Sequence, residues 1–333
     1  MRTDTPKFIS IIIPTYNSRS SLEKLLGSLC RQTYPMDKSE VIVVDDGSLD
    51  NTSEMVKREI DKAPFVLKYF FQENKGPAAA RNLGIKNSKG DVVVFTDSDC
   101  IVSEKWLAEL VKGYDDEQVA ATGGSILALP VNSLVSRYCA YIGMNGRPEI
   151  KNGIVSYVIT GNASFRKDIL VLIRGFDERF YFPGGEDPDI CRRIITKGYN
   201  LIYNPDAIVF NPHKKNIKEL MKTYFNYGKG QSFLALKEGS GWGLSQMRGL
   251  RLYVCYLKIT LNFGLMILQD LELIFDLFKI PLNALSYYGQ KGLPVNDCLA
   301  YSLLDFLKIF SFRQGCIAGY LKGKLLGLKK ENE

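Results

Sequence analysis

Short runs of β-branched and aromatic residues in the N-terminal half end repeatedly in polar or acidic ones. Phe8 to Ile13 runs into Pro14, Thr15 and Asn17; Val41 to Val44 into Asp45 and Asp46; Val92 to Phe95 into Asp97 and Asp99. Such runs are short enough to be buried strands. The stretches between them have helical character. Ser20 to Arg31 carries Leu22, Leu25, Leu26 and Leu29 at helical spacing, with Ser20 or Ser21 as the expected N-cap. Asp50 to Lys62 and Ala78 to Asn87 read as helices, and Phe65 to Phe71 as a further strand. This alternation predicts an α/β fold with a mostly parallel central sheet flanked by helices. Ligands bind such sheets at the C-terminal ends of the strands. The polar residues converge there.

Composition excludes several alternatives. The 333 residues are 46% hydrophobic and 24% charged, with a mean hydropathy of −0.07. That is neither a disordered chain nor one that is transmembrane throughout. A net charge of +7 fits an anionic partner without choosing among nucleotide, phospholipid and nucleic acid. His213 is the single histidine, which excludes chemistry that needs several. The seven cysteines are scattered with no C-x-x-C pair, which argues against a disulfide framework or zinc ribbon and for a reducing compartment. The N-terminal sequence lacks the long apolar core of a signal peptide.

The segment from Gly123 to Pro212 is less regular. It is expected to contain a helix from Asp189 to Lys197 stopped by Gly198, then short strands at Leu201–Tyr203 and Ala207–Phe210. Ile217 to Lys237 reads as a helix interrupted at "YGKG". Beyond about Gly243 the chain turns apolar: Leu252 to Leu268, Leu271 to Ile280 and Leu299 to Tyr320, followed by Lys322, Lys324, Lys329 and Lys330. Charges interrupt each stretch, which falls near the roughly 20 apolar residues of a membrane span. Apolar helices with basic edges also lie in a membrane interface. The expected division is a catalytic domain over 1–240 and an apolar helical C-terminal region over 241–333.

Each motif has a functional and a structural reading. "TDSD" places Asp97 and Asp99 after a strand, where carboxylates hold Mg²⁺ or Mn²⁺ together with phosphate oxygens; D-x-D is also common in loops. "DDGS" places Asp45 and Asp46 where an aspartate reads a base or ribose, but it is also strong turn chemistry. "NKGPAAARNLGI" opens a helix whose start favours phosphate, with Arg81 in reach; an ion pair with a carboxylate is its structural reading. "GGEDPDICRR" offers Glu186 and Asp187 as a general base, or as acids that stabilise a helix N-terminus.

Taken in order, "ISIIIPTYN", "VIVVDDGSLDNT", "NKGPAAARNLGI", "DVVVFTDSD", "TGNASFRKD", "GFDERF" and "GGEDPDICRRIITKGY" resemble the family 2 glycosyltransferases, inverting enzymes of the GT-A fold. The resemblance covers about Phe8 to Lys237. It implies a nucleotide-diphosphate-sugar donor, a divalent cation and a glycan or lipid-linked acceptor. It further implies that Pro14, Thr15 and Asn17 line the nucleotide pocket and that Asp45 binds the base, with Asp46 nearby. Arg81 would contact the diphosphate, and Asp97 and Asp99 would form the metal motif. Gly161 and Asn162 would lie near the donor sugar or acceptor, with Arg193 on the same side. Asp187, paired with Glu186, would be the catalytic base. His213 falls where some relatives place a histidine near diphosphate or metal; it is either a ligand or a loop histidine.

Three other functions fit less well. A sugar nucleotidyltransferase needs a Gly-rich basic loop after the first strand, where this chain has "PTYNSRSS". A dinucleotide dehydrogenase needs G-x-G-x-x-G there. A catalytically inactive membrane scaffold of the same fold has no need of intact D-x-D and Glu-Asp motifs. Nucleic acid is not an expected partner, because the basic residues form no aromatic-interleaved patch. The apolar C-terminus points to the cytoplasmic face of a membrane, peripheral or anchored, and to cell-surface or lipid-linked glycan synthesis.

Overall fold

The computed structural model of the protein describes residues 8–129, 133–144, 148–151, 153–212, 214, 216–238 and 283–326. His213 and the apolar stretches at Leu252–Leu268 and Leu271–Ile280 lie outside the described residues.

The strands are β1 (Ile9–Thr15), β2 (Ser39–Asp45), β3 (Val66–Phe71), β4 (Val92–Thr96), β5 (Ile101–Val102), β6 (Val119–Leu129), β7 (Ile150–Lys151), β8 (Ile154–Val155), β9 (Asn162–Arg166) and β10 (Asn200–Pro212). They form one 10-stranded sheet in the order β3-β2-β1-β4-β9-β6-β10-β8-β7, with β5 paired to β10. The helices of this part are α1 (Arg19–Leu29), α2 (Thr52–Ile60), α3 (Pro77–Asn87) and α4 (Trp106–Leu110). After them come α5 (Leu134–Tyr141), α6 (Lys167–Leu172) and α7 (Glu186–Thr196).

The expected parallel core is present in β3, β2, β1 and β4. The sheet is mixed beyond it, because β9 runs antiparallel to both β4 and β6. β9 follows a chain reversal at Ile159–Asn162, where the Asn162 N–H donates to the Ile159 carbonyl. The β-branched runs of β1, β2 and β4 are buried on both faces, as a sheet covered by helices on both sides requires. Leu22, Leu25, Leu26 and Leu29 of α1 bury one stripe against β1 and β2, and Ala78, Ala80 and Ile85 of α3 pack on the opposite face.

Local details differ from the sequence reading. Ser18, not Ser20 or Ser21, is the N-cap of α1. α7 begins at Glu186, ahead of the expected Asp189. The two short strands expected after Tyr199 are one strand, β10, with a register shift between Asn204 and Ile208. Such a bulge lets one strand bend without ending its pairing.

The chain divides into two compact units, one of 1–130 with 143–213 and one of 131–142 with 214–333. The second contains α5, α8 (Ile217–Glu238), α9 (283–290) and α10 (Val295–Leu325). α8 runs unbroken through "YGKG". There Gly228 does not interrupt the helix; a Cβ on it would lie 2.0 Å from the Phe312 carbonyl oxygen of α10. The same holds for Gly315 against Phe225, so glycine on each helix permits the close crossing. Asp305 of α10 accepts from the Tyr138 hydroxyl at 2.6 Å, from Lys308 at 2.5 Å and from the Tyr288 hydroxyl. Among the described residues no helix is long and apolar enough to cross a membrane.

Candidate active site

The C-terminal ends of β1, β2 and β4 carry the polar residues that the sequence places there. At β2, the Asp45 carboxylate is 1% exposed. It accepts from the Ser48 N–H and the Tyr69 hydroxyl, both at 2.8 Å. Burial and this carboxylate push the Tyr69 hydroxyl pKa up. A cleft of about 320 Å³ opens beside it, lined by Asp45, Ser48, Thr52, Lys57, Tyr69 and Phe71 among others. Pro14, Thr15 and Asn17 do not line that cleft. Asn17 instead ties two loops together, with its N–H on Ser48 Oγ and its side-chain oxygen accepting from Leu49, both at 2.8 Å. The Thr15 hydroxyl is buried without a hydrogen-bond partner among the described residues.

Asp46 is a loop brace. It accepts from Gln72 Nε2 at 2.7 Å, the Lys75 N–H at 2.8 Å and the Gly76 N–H at 2.9 Å. These bonds fix the entry to α3, whose first residue is Pro77. Gly76 has φ +90°, and a Cβ there would stand 2.1 Å from the Tyr181 carbonyl oxygen. Only glycine fits under that chain. Asn82 holds the same overlying segment, donating to the Phe176 carbonyl at 2.9 Å and accepting from its N–H at 2.8 Å.

α3 thereby presents Arg81 to a cluster of carboxylates. Arg81 is 5% exposed. Its guanidinium lies 3.1 Å from Glu186 and 3.4 Å from Asp97, over the ring of Phe176. Burial alone would lower its pKa; Asp187, Glu186 and Asp97 together reverse that and raise it. Glu186 also accepts from the Gly184 N–H at 2.7 Å. The positive φ of Gly184 and Gly185 turns the chain into α7 and sets Glu186 and Asp187 on its first turn, where the helix dipole favours acids. Burial, then the neighbouring Glu186, pushes the Asp187 pKa up to about 7, against the pull of Arg81 and Thr160. Asp97 remains open, its side chain 45% exposed. Gly161 sits beside it: a Cβ there would lie 2.9 Å from Asp97 Oδ2.

A model of the glycosyl transferase family 2 matches residues 10–172. Glycosyltransferase AglE of Haloferax volcanii is 31% identical over 264 residues, covering 78% of this chain and 83% of that protein. The chain belongs to glycosyltransferase family 2. It is therefore an inverting glycosyltransferase that uses a nucleotide-sugar donor. A model of the N-terminal domain of galactosyltransferase also matches, over residues 148–220. The pre-mycofactocin glycosyltransferase of Mycobacterium tuberculosis is 31% identical over 237 residues, and the match spans 48% of that longer protein. The fold resembles the mannosyltransferase PcManGT of Pyrobaculum calidifontis, solved with GDP-Man and Mn²⁺. The TM-score is 0.61 at 21% identity, covering 97% of this chain and 88% of that one.

The family's motifs thus converge in this chain, but not every residue singled out in the sequence joins the carboxylate cluster. Asn162 is buried in the sheet interior: its amide accepts from Trp106 Nε1 at 2.7 Å and donates to the Ser125 and Ala207 carbonyls, both at 2.8 Å. Arg193 bonds Asp189 at 2.9 Å and the Ile173 carbonyl at 2.7 Å, bracing α7. Asp99 accepts from Asn211 of β10 at 2.8 Å. The sequence reading missed Asn211, Tyr69, Phe176 and Thr160. Each lies far along the chain from the carboxylate or cation it touches, so spacing alone carries no signal of the pairing.

Proposed function

We propose that this glycosyltransferase transfers its sugar to an acceptor hydroxyl of a lipid-linked or cell-surface glycan, with Asp187 as the general base. The observation that carries the base assignment is the cluster of Arg81, Glu186 and Asp187. A base operating near neutral pH needs a pKa near the working pH, and Asp187 is pushed up to about 7 by burial and by Glu186. Asp187 takes the proton as the acceptor oxygen attacks the anomeric carbon from the face opposite the leaving group, which inverts that centre. Arg81 offsets the carboxylates and supplies positive charge where the diphosphate arrives. Asp45, which lines the cleft, receives the nucleoside; the unpartnered hydroxyl of Thr15, paired with Asp45 across β1 and β2, supports this. Gly161, lacking a side chain beside Asp97, leaves room for the sugar.

The residues also fit a divalent cation. Asp97 and Asp99 are hard oxygen donors after β4, and the Asp97 carboxylate is half open. Among the described residues no three His, Cys, Asp or Glu side chains form a complete metal cage. Phosphate oxygens of the donor would complete the shell around Mn²⁺ or Mg²⁺. When bound, that cation neutralises charge on the departing nucleoside diphosphate. The Mn²⁺ in the Pyrobaculum mannosyltransferase supports this assignment.

The apolar region of 241–333 and its lysines support placement at the cytoplasmic face of a membrane, peripheral or anchored. Val295, Leu299 and Leu303 of α10 are exposed and follow one another at helical spacing on one side. Two experiments test the proposal. Asp187→Asn is expected to abolish transfer while the nucleotide-sugar still binds by calorimetry; near-normal turnover would remove Asp187 from the base role. The full chain is expected to co-sediment with anionic vesicles; an equal distribution with and without lipid would refute the membrane placement.

A further inference from the structure

We infer that Thr160 is the positioning residue of the base, orienting the Asp187 carboxylate through both of its own donors. This rests on Asp187 being the base, as proposed above. Thr160 is 1% exposed. Its hydroxyl donates to Asp187 Oδ1 at 2.7 Å and its N–H to Oδ2 at 3.2 Å. One residue thus fixes both carboxylate oxygens, and with them the plane in which the lone pairs face an incoming hydroxyl. A carboxylate held by a single donor would rotate about its terminal bond.

Thr160 is itself held from both sides. One turn further along α7, Cys191 Sγ accepts the Val158 N–H at 3.4 Å and faces the Val158 carbonyl at 3.7 Å. The segment 158–160 therefore lies along α7 with two points of attachment. On the other side, the Gly161 carbonyl accepts from the Thr96 hydroxyl at 3.1 Å, and Gly161 abuts Asp97. The Thr160–Gly161 pair thereby sets the base at a fixed place relative to the aspartate that follows β4. In an in-line displacement, misplacement by about 1 Å costs on the order of a hundredfold in rate.

The charged groups that act on Asp187 are Glu186 on α7 and Arg81 from α3; the Cys191 thiol on α7 feels the Asp187 charge in turn, and Asp97 after β4 meets the same Arg81 guanidinium. Glu186 opposes ionisation of Asp187, and Arg81 and Thr160 favour it. A hydrogen bond to the ionised form lowers an acid's pKa. Loss of the Thr160 hydroxyl therefore raises it.

The test is the pH profile of transfer by the full chain with Thr160→Val and Thr160→Ser. Valine keeps the shape and the N–H but removes the hydroxyl. It is expected to move the acidic limb of kcat up by about one pH unit, a tenfold loss at a fixed pH on that limb, with the donor KM unchanged. Serine restores the hydroxyl and is expected to restore both limb and rate to within about twofold. If Thr160→Val does not accumulate as folded protein, Thr160→Ala reads the same limb. A limb that stays in place in the valine or alanine variant overturns the inference, as does a serine variant as impaired as either. Asp187→Asn, run alongside, separates the two levels: if it retains turnover, the base assignment itself fails, whatever Thr160 does.

Discussion

Replacing Arg81 by methionine probes the balance of charge on which the site depends. Methionine keeps much of the volume but removes the cation between Glu186 and Asp97. The Arg81 and Glu186 side chains are each 6% exposed, so little water reaches the carboxylate left behind. Breaking a buried pair by deleting one partner costs about 3–5 kcal/mol. At about 2–4 °C per kcal/mol for a unit of this size, the melting temperature should fall by roughly 6–20 °C. The loss must also depend on pH. Arg81 pulls the Asp187 pKa down, so its removal leaves that carboxyl still more reluctant to ionise. A carboxyl with a raised folded-state pKa binds more protons folded than unfolded. Its stability contribution therefore falls as pH rises from the unfolded value of about 4 through the folded one. The deficit of Arg81→Met should be smallest near pH 5 and largest near pH 8, measured by thermal unfolding of both proteins at each pH. An equal deficit at every pH, or one below about 1 kcal/mol, would refute the reasoning.

Other perturbations test separate parts of the structure. Transfer by the unmodified enzyme should drop on the acidic side of about pH 7, where Asp187 takes up its proton; a flat rate from pH 5 to 8 would contradict that assignment. Asp99→Ala should weaken nucleotide-sugar binding in Mn²⁺ while leaving metal-free binding nearly unchanged, as calorimetry with and without the cation reads out. Asp46→Ala strands the N–H groups of Lys75 and Gly76 and should cost about 2–4 kcal/mol in denaturant unfolding. Gly76→Ala meets both a positive φ and the Tyr181 carbonyl, whereas Gly153→Ala meets a positive φ and open space. The first should destabilise by more than about 3 kcal/mol and the second by about 1–2 kcal/mol; similar melting temperatures would show that the close approach is of no consequence.

The strand–helix alternation and the acidic strand ends were legible because each depends on local chemistry, and the resemblance to family 2 was legible because its motifs are short and stand in order. Buried strands need β-branched runs, turns need Asp-Gly, and a helix start accepts acids; all are written within a few residues. The parallel core and the positions of Asp45, Asp97 and Asp187 therefore follow from the sequence. The partners of those residues do not. Arg81 and Glu186 are 105 positions apart, and Thr160 and Asp187 are 27 apart. The mixed sheet, with β9 entering antiparallel beside β4, brings Gly161 to Asp97. The fold also gave Asn162 and Asp46 interior hydrogen bonds that their motifs do not spell out. The same applies to Gly228, which reads as a helix breaker in isolation but provides the contact surface between α8 and α10. Short-range order is set by backbone preference and hydrophobic period, which each segment carries by itself. Which carboxylate meets which cation, and how far its pKa rises, depends on burial and on neighbours that only chain packing brings together.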